Sequence, residues 1–292
     1  MTITLTPAPA GFFTARTSGG IGLALFLNAG DPSFDVLADL VLTLDEQGVD
    51  CLELAVPFPN SVTDGPVIRR SAERALAAGA DLAAVLNFLR TIRPRLRRLR
   101  IALLVDWSWS LKGGDLGDFM TRARDAGADA VLVHAVPPLL RARCYDEARR
   151  VDLPVVATCY ATSKAAVLAE AAAEATAYLY LVAQYGRSGS APGAGYAALA
   201  ETIAGLRDLT HAPIAVGFGV RRYDDIEALA LAGADAAIVG SAAVACIETA
   251  STQGKDPVGV LAAFLQSLAP PTLELPSASA TSSGIVLGEA AS

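Results

Sequence analysis

Eight short, continuously apolar runs, separated by stretches of helical spacing, constrain this chain more than any other feature. They read as strands at 22–28 (GLALFLN), 50–56 (DCLELAV), 100–106 (RIALLVD), 130–136 (AVLVHAV), 154–159 (PVVATC), 177–183 (AYLYLVA), 213–217 (PIAVG) and 236–240 (AAIVG). Strands with no polar alternation are covered on both faces, the environment of parallel strands wrapped by helices. Intervening segments such as DVLADLVLTLDEQG and VIRRSAERALAAGA have helical periodicity, and a glycine suited to a helix end sits at or near their close. A count of eight fits a single-domain α/β fold, a (β/α)8 TIM barrel over residues 21–268. An open doubly wound sheet is the runner-up, but its glycine-rich first turn is missing. Residues 1–20 read as a loop-like N-terminal extension and 269–292 as a flexible C-terminal tail.

Composition narrows the function classes. With 292 residues, 53% of them apolar, the chain can bury a large core, and its net charge of −7 argues against a nucleic-acid partner. The basic run RPRLRRLR reads as a solvated helix end. No apolar stretch is clean enough to span a membrane, and the N-terminus lacks the pattern of a signal peptide. Cys51, Cys144, Cys159 and Cys246 show no CxxC pairing and suit buried thiols in a reducing cytoplasm. The two histidines, His134 and His211, argue against a histidine metal site or a Ser-His-Asp triad. Neither GxGxxG after the first strand nor GxxxxGK[ST] occurs, so no cofactor is expected.

One strand carries an anomaly. Glu53 interrupts the apolar run of strand 2, and Asp64 follows it on the loop PFPNSVTDGP. A buried carboxylate costs several kcal/mol unless it is paired or used in chemistry. Either an arginine pairs with Glu53, or the residue is an acid–base group. In such barrels chemistry sits on loops at the C-terminal strand ends, where both carboxylates fall. Glycine-bearing turns follow the last three strands: QYGRSGSAPGAG (184–195), GFGV (217–220) and GSA (240–242). Each alone reads as a tight turn. Together they suit a phosphate, because glycine lets backbone N–H groups approach an anion and a helix N-terminus adds partial positive charge.

These residues resemble the α subunit of tryptophan synthase, an indole-3-glycerol-phosphate lyase. NAGDP (28–32) is similar to the family's TAGDP loop, LELAVPF…DGPVI (52–68) to its ELGxPFSDPxADGPxIQ segment, and YLVA…GRSG, VGFGV and VGSA to its closing loops. The resemblance covers roughly residues 20–250 and implies the same barrel. By position it implies that Glu53 is the catalytic proton shuttle and Asp64 the second catalytic carboxylate. It further implies that Phe26, Ile68, Tyr180 and Ser188 bind substrate, and that Gly189, Gly219, Gly240 and Ser241 bind phosphate. Plain core packing is the competing reading for Phe26, Ile68 and Tyr180. The implied reaction is a retro-aldol cleavage of indole-3-glycerol phosphate to indole and glyceraldehyde 3-phosphate, with no metal.

The departures cluster on the loops that meet the family's β subunit. Pro59, Asn60 and Ser61 replace its SDP, HAVPPLLRA replaces ADxPxEE, and the strand-3 loop reads DWSWSLKGG. They weaken the expectation of a β-type partner. They leave open a free-standing lyase, a related phosphorylated aryl-glycerol substrate, or a catalytically silent regulatory barrel. Trp107 and Trp109 are expected to reshape or narrow the aryl end of the pocket.

Overall fold

The computed structural model describes residues 11–13, 20–183, 196–217 and 219–269. Eight parallel strands form one sheet: β1 (Gly22–Asn28), β2 (Cys51–Ala55), β3 (Arg100–Asp106), β4 (Ala130–His134), β5 (Val156–Tyr160), β6 (Tyr178–Val182), β7 (Ile214–Gly217) and β8 (Ala236–Val239). Their order is β4-β3-β2-β1-β8-β7-β6-β5. A parallel bridge between Val131 and Val155 brings the two edges together at a narrow seam. Around the sheet lie α1 (Phe34–Glu46), α2 (Pro66–Ala77), α3 (Leu82–Ile92), α4 (Leu116–Asp125), α5 (Pro138–Arg150), α6 (Ala165–Glu174), α7 (Ala200–Arg207), α8 (Tyr223–Leu231), α9 (Ser241–Thr252) and α10 (Pro257–Ser267). The fold is the (β/α)8 barrel. Helix α3 is an addition to the sequence expectation, packed on the core through Val85, Leu86, Phe88, Leu89 and Ile92. Among the described residues no single helix is long and apolar enough to cross a membrane.

Strand alternation divides the apolar residues into two cores. Leu25, Leu52, Leu54, Leu103 and Val216 face the helices. The barrel interior is made of small residues, Ala24, Ala102, Ala130, Ala215 and Ala236, filled by Tyr178 and by Phe12 from the N-terminal segment. Phe12 and Phe13 pack tilted and edge-on against Tyr178 at ring-centroid distances of 5.3 and 5.2 Å, closing the barrel from below. Part of the N-terminal segment therefore belongs to the barrel's interior packing.

A short repeat fixes the strand starts. GVDC (48–51), GADA (127–130) and GADA (233–236) each place a glycine at positive φ after a helix and an aspartate before a strand. Asp50, Asp129 and Asp235 each accept a backbone N–H from the adjoining strand, from Leu23 (2.8 Å), Ile101 (2.8 Å) and Ile214 (2.6 Å). Each carboxylate occupies an otherwise unpaired ladder donor at the barrel floor, so register is set at that end. The mouth is left to the loops.

Candidate active site

A cavity of about 550 Å3 opens at the C-terminal ends of the strands. Glu53, Asp64, Phe26, Ile68, Tyr180, Gly219, Gly240 and Ser241 all line it. Ser188 and Gly189 lie outside the described residues. The convergence follows from register: Phe26 pairs with Glu53 across β1 and β2, and Thr158 with Tyr180 across β5 and β6, so inward side chains meet in layers.

Glu53 is fully buried. Its Oε1 accepts a 2.6 Å hydrogen bond from the Tyr178 hydroxyl, while Oε2 is buried without a partner among the described residues. Among the described residues no arginine pairs with it. Burial pushes its carboxyl up to about 7, although the bond from Tyr178 favours the charged form. A carboxyl poised near neutrality can both give and take a proton.

Asp64 stands on the loop between β2 and α2, with its backbone N–H donating to Ser61 Oγ at 3.3 Å. Burial raises its carboxyl above the usual aspartate range, opposed by hydrogen bonding to Ser61 and by the charges of His134 and Arg69. Asn28, the departure from TAGDP, is buried and donates through Nδ2 to Ile68 O and Ser71 Oγ, both at 3.1 Å. It ties the end of β1 to α2, which carries Ile68 into the cavity wall.

The far side of the cavity is built from the β7 and β8 turns. Gly219 holds φ of +88°, a conformation that side-chain-bearing residues rarely adopt. Gly240 precedes the N-terminus of α9, where Ser241 and Ala242 line the cavity. Arg70 and Arg74 of α2 both pair with Glu248 of α9, and Arg74 also holds Asp31 after β1. This clamp ties α9 to α2 and to the loop after β1. Arg221 adds a guanidinium-bearing residue to the lining beside Gly219. Neither Arg221 nor Tyr178 is singled out by sequence reasoning.

The tryptophans behave differently from expectation. Asp106 Oδ1 accepts the N–H groups of Ser108 and Trp109 at 2.9 and 3.1 Å and caps a π-helical turn, Trp107–Leu111. That turn packs Trp107 partly against the outer core and leaves Trp109 59% exposed. Neither lines the cavity. The group that does, from the neighbouring strand, is His134.

Known proteins share this fold and sequence pattern. The family model of the tryptophan synthase alpha chain matches residues 12–270. The chain belongs to that family. It is 34% identical over 251 residues to the tryptophan synthase alpha chain of Gloeobacter violaceus, covering 86% of this chain and 89% of that one. The corresponding protein of Desulfosudis oleivorans is 35% identical over 237 residues, covering 81% and 88%. Among solved structures, a mutant tryptophan synthase alpha-subunit from Pyrococcus furiosus superposes with a TM-score of 0.75 at 26% identity, covering 86% of this chain and 97% of that one. The Legionella pneumophila subunit gives 0.75 at 27%, covering 85% and 91%.

Proposed function

We infer that the chain is a lyase of the tryptophan synthase α type, cleaving indole-3-glycerol phosphate to indole and glyceraldehyde 3-phosphate. The observation that carries this reading is Glu53, buried in a mostly apolar cavity, near neutrality in its proton affinity, and sharing that cavity with a second carboxylate. Protonated Glu53 donates to C3 of the indole ring, and positive charge develops toward the ring nitrogen. Asp64 accepts the ring N–H and stabilises that charge. Glu53, now a carboxylate, takes the proton of the adjacent side-chain hydroxyl. The bond from C3 to the carbinol carbon breaks, its electrons restore the aromatic indole, and the carbinol becomes the aldehyde of glyceraldehyde 3-phosphate.

In this reading Phe26, Ile68 and Tyr180 flank the ring, and Ser188 is a further substrate-binding residue. Gly219, Gly240 and Ser241, with Gly189, hold the phosphate through backbone N–H groups and the start of α9. Arg221 adds positive charge at the same end. The four free cysteines suit the reducing cytoplasm, where we place the reaction.

A tryptophan synthase complex from Pyrococcus furiosus superposes with a TM-score of 0.74 at 25% identity. We assign a β-type partner to the mouth face here as well, with an altered docking chemistry. Val62 and Leu139 are 83% and 96% exposed on the segments after β2 and β4, so the contact is more apolar than the acidic one the family resemblance implies. The test is direct: the purified protein is given indole-3-glycerol phosphate alone and with a tryptophan synthase β subunit, beside Glu53→Gln and Asp64→Asn. Indole release falls by about 10²-fold or more in each variant if Glu53 carries the proton transfers and Asp64 stabilises the charge they create. Turnover that survives Glu53→Gln would overturn the assignment.

A further inference from the structure

His134 is a polar group at the mouth that the proposed reaction does not use, and its setting is built. It ends β4, and its Nδ1 lies 3.2 Å from Oδ2 of Asp106, its register partner at the end of β3. Asp106 is buried and anchored by the turn it caps, so its second oxygen is fixed in place. Phe58 stacks on the imidazole at a centroid distance of 6.3 Å and an interplanar angle of 24°. A carboxylate facing Nδ1 selects the tautomer with the proton on that nitrogen, leaving Nε2 as the uncommitted polar atom of a ring that lines the cavity. Nε2 has no hydrogen-bond partner among the described residues.

Beside it on β5, Thr158 is exposed to the cavity, and its hydroxyl likewise lacks a partner among the described residues. Two orientable polar groups thus stand on a wall that Leu104, Leu132 and Tyr160 complete. That wall lies across the barrel from the phosphate end, because β4 is four strands from β8 in either direction. A substrate anchored by phosphate at β7 and β8, with its reacting carbon at Glu53, turns the outer edge of its aryl ring toward His134 and Thr158. A bare hydrocarbon edge would leave both groups unpaired. A hydroxyl, as donor and acceptor, satisfies Nε2 in either protonation state and can bond to Thr158 as well.

We propose that His134, oriented by Asp106 and assisted by Thr158, is a specificity-determining residue that selects an aryl-glycerol phosphate whose benzo ring bears a hydroxyl. The inference rests on the lyase reading above. It is tested in the condensing direction, with glyceraldehyde 3-phosphate and either indole or one of the hydroxyindoles substituted at each benzo-ring carbon. The wild-type protein favours one hydroxyindole over indole in kcat/KM by about tenfold, the value of one net hydrogen bond. His134→Leu and Thr158→Val each lower that ratio, His134→Leu to unity or below. Two results overturn the proposal: indole used as well as every hydroxyindole, or a preference that survives both substitutions. Failure of the lyase reading looks different, because then no indole condenses at all.

Discussion

At the scale of single residues, the chemistry depends on the proton affinity of one carboxyl. Cleavage begins with protonated Glu53, so activity is lost as pH rises through its value of about 7. Asp64 must be ionised, so activity is also lost as pH falls through its raised range. The profile is a bell with a near-neutral alkaline limb. Tyr178 tunes that limb, because its hydroxyl donates to the charged form of Glu53. Replacing Tyr178 with Phe removes a donor and raises the carboxyl further, moving the alkaline limb up by about one pH unit in kcat/KM profiles. A limb that stays put would mean that another group titrates there. Glu53 itself is legible in the sequence because a charge inside an apolar strand has no cheap structural explanation. Tyr178 and His134 are not: Tyr178 sits in a run that reads as core, and His134 acquires meaning only when β3 and β4 set Asp106 beside it.

At the scale of elements, the cavity wall depends on close approaches that sequence patterns do not express. Gly217 closes β7 against Tyr180, and a Cβ there would lie 2.5 Å from the phenol oxygen and 2.7 Å from the ring. Gly217→Ala therefore forces the ring of Tyr180 to move. The expected outcome is a loss of about tenfold in kcat/KM, carried mainly by misplacement of the substrate, with a stability loss of about 1–3 kcal/mol in thermal unfolding. Full activity in that variant would remove Tyr180 from the substrate wall. The eight strands are readable because burial on both faces leaves them continuously apolar. Helix α3 is harder to separate, because its LAAVLNFLRTI follows α2 within a few residues and falls between two strands that already have a connecting helix. The aspartates that tie strand to strand at the floor look like ordinary loop residues until register brings each beside a neighbour's N–H.

At the scale of the whole molecule, the barrel is asymmetric. Its mouth carries every candidate site residue that the structure describes, and its floor is sealed by Phe12, Phe13 and Tyr178. The N-terminal segment, which sequence periodicity leaves as an extension, supplies that seal because the interior strands present small alanines with volume to fill. Fold class and the carboxylate pair can be read from the chain alone. The seal cannot, since nothing local marks two phenylalanines as parts of a distant core.

That stopper has an isotopic consequence. Among the described residues the floor is packed and the cavity opens at the mouth, so a substrate bound there is expected to isolate the carboxyl proton of Glu53 from solvent. A complex formed in ordinary water and diluted rapidly into heavy water will release, in its first turnover, indole carrying protium at C3. Deuterium at that carbon in the first turnover would reveal a second proton path through the barrel.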